Sequence, residues 1–187
     1  MRLKKANACI SLLLVVVFLA HSVYELIACL TMSFDPTVVK VFGITVAAFV
    51  SVHVVLSVIS IFKYQDSKKI DYPKLNKRTW LQRFSAVMIV VLLPLHMRTA
   101  GWVMAEGVTA LSIALEILQV IFFALVYLHI AVSFSRALLT LGWITEERTK
   151  RRIDLVVGIL CGVLFLIQSV VIFVTFITAA GMDHGAV

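Results

Sequence analysis

Five long apolar runs separated by short polar stretches set the pattern of the chain: residues 8–32, 38–62, 81–105, 109–141 and 153–180. A helix rises 1.5 Å per residue, so a hydrocarbon core of about 30 Å is crossed by about 20 apolar residues. Every run reaches that length, and the fourth exceeds it enough to tilt or project. The pattern predicts an all-α integral membrane protein, a five-helix bundle with up-down topology. The connections are a short turn around Ser33–Pro36, a stretch from Lys63 to Trp80, a tight turn near Glu106–Gly107 and a stretch from Gly142 to Arg152. No internal repeat or low-complexity segment interrupts them.

Composition sharpens this picture. Hydrophobic residues make up 61% of the 187 and charged residues 14%, against an apolar share of roughly 45–50% in soluble domains. No hydrophilic block is long enough to hold a core of its own, so residues 1–187 read as a single transmembrane domain. The start, Met1-Arg2-Leu3-Lys4-Lys5 before an apolar run, also fits a secretory signal peptide, with Ala20-His21-Ser22 as a weak cleavage site. The apolar character continues past Ser22, which favours a full span.

The net charge of +7 raises the question of nucleic acid, but the placement of the basic residues answers it differently. Arg2, Lys4 and Lys5, then Lys63, Lys68, Lys69, Lys74, Lys77, Arg78 and Arg83, then Arg148, Lys150, Arg151 and Arg152 all fall on one side of the predicted topology. Lys40 and Arg98 are nearly all that the other side carries. By the positive-inside rule the N-terminus is cytoplasmic and the C-terminus lies outside, as in a multi-pass protein of a bacterial cytoplasmic membrane. The charges thus mark orientation, and no nucleic-acid partner is implied. Trp80 and Trp143 fall at the inner interface and Trp102 at the outer. Cys9, Cys29 and Cys161 form no CxxC or CxxCH motif and read as packing residues.

Four histidines, His21, His53, His96 and His129, lie inside the first four runs, one in each. An ionisable side chain in hydrocarbon is costly and marks a functional site with a partner. Counting along the helices puts His21 and His96 in the outer half of the membrane and His53 and His129 in the inner half. Alternate helices of an up-down bundle are diagonal and parallel, so each pair faces inward from opposite corners. Two planar ligands fit between them, one above the other, and two haem b groups with bis-histidine ligation suit imidazole donors in an apolar core. Zinc fits less well, since Glu25, one turn after His21, is the only carboxylate or thiol beside these histidines with suitable spacing. Arg136 follows His129 by seven residues on the same face, within reach of a propionate. Ser85 shares a face with His96 but sits about three turns away, at the inner level. Ser57, Ser133, Thr99 and Ala100 are small enough to admit a porphyrin or, equally, to let helices approach closely.

These residues resemble a known family, the cytochrome b membrane-anchor subunits of succinate:quinone oxidoreductases, of the single-subunit, five-helix, two-haem type. Trp80, Gln82, Arg83, Ser85 and His96 are similar to that family's third-helix pattern, with Ala86 where the family has glycine. His129 is followed thirteen residues later by Gly142, with Val132-Ser133 in place of an Asn-Gly pair. His53 with Ser57 stands where the family has a histidine and a glycine. The resemblance implies that His21 and His96 hold the outer haem and His53 and His129 the inner one, with Gln82, Arg83, Ser85 and Arg136 as further cofactor contacts. It implies a protein passing electrons between membrane quinone and a flavoprotein and iron–sulphur subunit docked on the cytoplasmic face, partly on the basic segments Lys74–Arg83 and Arg148–Arg152.

The chain itself has no flavin fingerprint and no iron–sulphur cysteine set, so it does not convert a dicarboxylate alone. Quinone chemistry moves protons, which draws attention to Glu25, Arg98, Glu106 and Glu116 near the outer level. Glu25 is the foremost of these, although it would equally well pair with Arg98. Tyr24 and Tyr127 are hydrogen-bond donors or packed aromatics. Two other readings stay open: a b-type subunit of a different membrane oxidoreductase such as a hydrogenase, and a haem-free structural or transport protein whose histidines bond between helices.

Overall fold

A computed structural model describes residues 2–64, 73–106 and 109–183. The described residues form five helices and no strand: α1 (Arg2–Thr31), α2 (Pro36–Tyr64), α3 (Pro73–Glu106), α4 (Ala110–Leu141) and α5 (Glu147–Asp183). All five are long and apolar enough to cross a membrane, and the protein is a multi-pass membrane protein. Lys68, Lys69 and Gly107 lie outside the described residues, as do the side chains of Lys74, Ala100, Trp102 and Glu106.

The helix ends have local causes. Asp35 caps α2, its Oδ1 accepting from the Thr37 and Val38 amides at 2.8 and 3.2 Å, with Pro36 in the first turn. The Tyr24 hydroxyl accepts from the Asp35 amide at 3.1 Å and pins this turn to α1. Thr109 and Ser112 form a reciprocal capping box at the start of α4. At its end Gly142 takes φ +82°, and the Gly142 and Trp143 amides donate to Leu139 and Leu138. That is a Schellman stop, which needs the left-handed backbone that glycine adopts at little cost.

Four helices begin earlier than the apolar pattern indicates: α1 at Arg2 rather than 8, α2 at Pro36 rather than 38, α3 at Pro73 rather than 81, and α5 at Glu147 rather than 153. Hydropathy marks where hydrocarbon ends, whereas a helix runs on until its backbone is capped or broken. The C-terminal part of the expected basic loop, from Pro73 to Trp80, is therefore the first turns of α3.

α4 packs against α3, α5 and α1, while α2 packs closely only against α1. Phe18, Leu92, Phe122, Phe123, Tyr127 and Cys161 form the core where α1, α3, α4 and α5 meet. Small residues, among them Ala8, Ala28, Ala137 and the fully buried Ser85 and Ser135, occupy other helix contacts, as expected where packing rather than water drives association. Large apolar side chains such as Val16, Phe62, Leu155 and Phe173 cover the outside. Cys161 is buried as a packing residue, but Cys9 is exposed on that apolar exterior.

Arg78 ties three helices together. Its guanidinium donates to both oxygens of Asp154 at 2.7 Å, to the Val132 carbonyl at 2.9 Å and to Ser135 Oγ at 3.0 Å. The first turns of α3 and α5 are thereby joined to the last turns of α4. On the other side Asn7 donates to Ser57 Oγ at 3.1 Å, joining the start of α1 to the end of α2. These contacts gather Lys4, Arg78 and Arg136 toward one end, called here the basic end.

Candidate functional site

One cavity runs through the interior, and all four histidines line it. Its volume is about 310 Å³, within the roughly 300–1,000 Å³ of a small-ligand pocket, and it is open on one side. Its described lining comes from α1 to α4, with Arg136 and Lys4 contributing cations at the basic end, and none from α5.

The histidines meet in two pairs. His53 and His129 stand with ring centroids 6.5 Å apart and planes at 74°. His21 and His96 stand 6.4 Å apart at 85°. A metal bound axially by two imidazoles sets their ring centres ~6 Å apart, from two metal–nitrogen bonds of ~2 Å and ~1 Å from each nitrogen to its ring centre. Both separations fit one metal between each pair. Among the described residues no three His, Cys, Asp or Glu side chains cluster round a metal-sized site. Each pair could offer a metal two ring nitrogens, fewer than a protein-only zinc centre uses.

The pair nearer the basic end is built as follows. His129 Nδ1 lies 3.0 Å from Ser85 Oγ and 3.2 Å from the Gln82 carbonyl. The single Ser85 hydroxyl hydrogen is directed at the Leu81 and Gln82 carbonyls, at 2.8 and 3.1 Å. Only an Nδ1–H can satisfy these acceptors, so the ring's lone pair is on Nε2. Arg136 lies on the same cavity, bound to Gln82 Oε1 at 2.6 Å and to Thr79 Oγ1 at 3.0 Å. The hydroxyls of Ser60 and Ser133, also on the cavity wall, are buried with no protein partner among the described residues.

The far pair is framed by different groups. His96 Nδ1 is hydrogen-bonded to the side-chain amide of Gln119 on α4. The atom facing Nδ1 is the amide nitrogen Nε2 of Gln119, which donates to the ring; turning the amide by 180° brings Oε1 to Nδ1, and only then does Nδ1 donate and leave the ring's lone pair on Nε2. Phe122 stacks on the His96 ring at 4.6 Å and 14°, and Phe123 meets it edge-on at 5.6 Å. Across the cavity, His21 Nδ1 has Glu25 Oε1 at 3.9 Å, beyond hydrogen-bond reach, and Phe42 at 5.9 Å. Beside Phe42, Gly43 lines the cavity, and a Cβ there would meet no atom within 4 Å. α2 thus presents bare backbone at this level.

Several residues singled out from the sequence lie elsewhere. Arg83 and Arg98 are exposed and do not line the cavity. Ser57 is engaged with Asn7, and Thr99 is buried against the Leu95 carbonyl. Glu25 faces His21 rather than Arg98. Tyr127 donates to Gln168 Oε1 at 2.8 Å within the core, and Tyr24 serves the α1–α2 turn. Glu116 is partly buried on α4 and does not line the cavity. Gln119, absent from the sequence reading, is the residue it missed. The available signal was a polar side chain in an apolar run, three residues after Glu116 and ten before His129.

Fold and site together define a helical, multi-pass membrane protein whose first four helices enclose two histidine pairs at two depths. Comparison of the chain with protein-family models, with curated proteins and with solved structures finds no match.

Proposed function

We propose that this protein is a di-haem b membrane anchor, carrying electrons between membrane quinone and the iron–sulphur and flavoprotein subunits of a succinate dehydrogenase or fumarate reductase. The observation that carries the reading is the pair of opposed imidazoles, 6.5 and 6.4 Å between ring centres, at two levels of one cavity. Helical rise from Ser85 to His96, or from Gln119 to His129, separates the levels by ~15 Å. In this reading the helices run up and down, the basic end is cytoplasmic and the membrane is the bacterial cytoplasmic one.

When bound, the haems supply one-electron chemistry that no side chain of this chain offers. The chain's own work is to bind and orient them. His53 and His129 hold one and His21 and His96 the other, each through Nε2. Gln82 and Ser85 fix the His129 tautomer, which orients the ring and raises its basicity as a ligand. Arg136, with the Ser60 and Ser133 hydroxyls, supplies donors for carboxylates at the basic end. Phe18, Phe122 and Phe123 line the cavity and exclude water from it. Quinone exchange falls at the far pair, where Glu25 stands behind His21. Partner subunits dock on the basic end, where Arg148 and Arg152 are exposed.

The test is a reduced-minus-oxidised spectrum and a haem count on protein purified from haem-replete cells. A b-type signature with two haems per chain is expected; a colourless preparation overturns the proposal. Co-purification identifies the partners, and a nickel protein in place of a flavoprotein would assign the anchor to a hydrogenase.

A further inference from the structure

The two rings of each pair are not held alike. His129 has its Nδ1 fixed by Ser85 and the Gln82 carbonyl, and His96 has Gln119 at Nδ1 and a phenyl ring against its face. Opposite them, His53 Nδ1 and His21 Nδ1 are buried without a hydrogen-bond partner among the described residues. The fixed rings belong to α3 and α4, which pack against each other and bond to each other's histidines. The unfixed rings belong to α1 and α2, and α2 packs closely on α1 alone.

From this asymmetry we infer that α3 and α4 form the preorganised half of both haem sites, with His96 and His129 as anchoring ligands and His21 and His53 as exchangeable ones, and that Gln119 and Ser85 are the positioning residues that make the difference. The inference rests on the haem reading. A ligand whose tautomer and ring plane are already set gives up less freedom on binding, and a hydrogen bond at Nδ1 strengthens donation from Nε2. A ring with no partner at Nδ1 has neither advantage. The weaker bond to each iron is therefore the one from α1 or α2.

Single alanine substitutions at the four histidines test this, read by haem count and spin state in detergent-purified protein. His53→Ala and His21→Ala are expected to keep two haems per chain, one now high-spin and open to carbon monoxide. His129→Ala and His96→Ala are expected to fall to one. Equal losses in all four, or the reverse order, overturn the inference while leaving the haem reading intact; a haem-free wild type overturns the haem reading itself. Should the histidine variants fail to accumulate, Gln119→Leu and Tyr127→Phe decide the far site. Gln119→Leu is expected to lower far-site occupancy or shift its low-spin electron paramagnetic resonance signal, with Gln119→Glu restoring it, whereas Tyr127→Phe, whose hydroxyl is committed to Gln168 in the core, leaves both unchanged. A far haem sensitive to Tyr127→Phe and indifferent to Gln119→Leu overturns the assignment.

Discussion

A neutral imidazole carries one N–H and one lone pair, so the group placed at Nδ1 decides what Nε2 offers. In this protein that choice is made by neighbours far away in sequence, which is why single residues have separable effects. Gly43 gives the sharpest case. Gly43 lines the cavity and a Cβ there meets no atom within 4 Å, so a leucine would extend from that point into the cavity, and in a helix interior it gains about 0.8 kcal/mol of propensity over glycine. Gly43→Leu is expected to lose the far haem while its melting temperature holds or rises, read by haem count and thermal unfolding. Tyr127 is the opposite case. Its hydroxyl is committed to Gln168 in the core, so Tyr127→Phe is expected to cost about 0.6 kcal/mol, the mean for hydrogen bonds between membrane helices, with haem content at the wild-type value. A drop in haem content would show that its role extends beyond packing.

At the scale of helices, counting along the chain pairs the histidines as their rings are found to pair, but it leaves open which way the other polar residues face. A fixed rise per residue is enough to pair His21 with His96 and His53 with His129, because length along a helix does not depend on its neighbours. The same count puts Ser85 at the level of His129. Which way a side chain turns depends on how each helix is rotated, and an all-round apolar helix carries no stripe to show it. Arg78 and Arg83 are five positions apart, about 140° round the helix at 3.6 residues per turn. The first reaches Asp154 and the second is exposed, a difference that composition does not reveal. Gly142 is explained by its own backbone: it ends α4 in the left-handed region with open space around it. Gly142→Ala is therefore expected to destabilise the protein by about 1 kcal/mol, measured by thermal unfolding, with both haems kept. Asp154→Ala should cost about 1–2 kcal/mol by leaving the Arg78 guanidinium with two of its three partners, while Asp154→Glu restores part of the loss.

For the molecule as a whole, the uneven distribution of charge fixes an expected orientation. Reporter fusions in the α4–α5 connection, at Thr145, should report the cytoplasm, and fusions in the α1–α2 connection, at Phe34, the opposite side; the reverse result would invert the proposed docking face. The basic end also concentrates the ties between helices, with Arg78 spanning α3, α4 and α5 and Asn7 joining α1 to α2. α5 takes part in these ties and in the core, yet contributes no described residue to the cavity. Its role is to brace α4 and α1 from outside.

The division of the cavity walls also has a consequence in time. α1 and α2 leave the ribosome before α3 and α4 and carry the two rings with no Nδ1 partner among the described residues, and the later pair brings the rings that are held. No enclosed chamber exists until synthesis has passed Leu141 and the later hairpin has entered the bilayer. On the proposed function, cofactor delivery would belong to the end of biogenesis, and a chain stalled in its third helix would sit in the membrane without it.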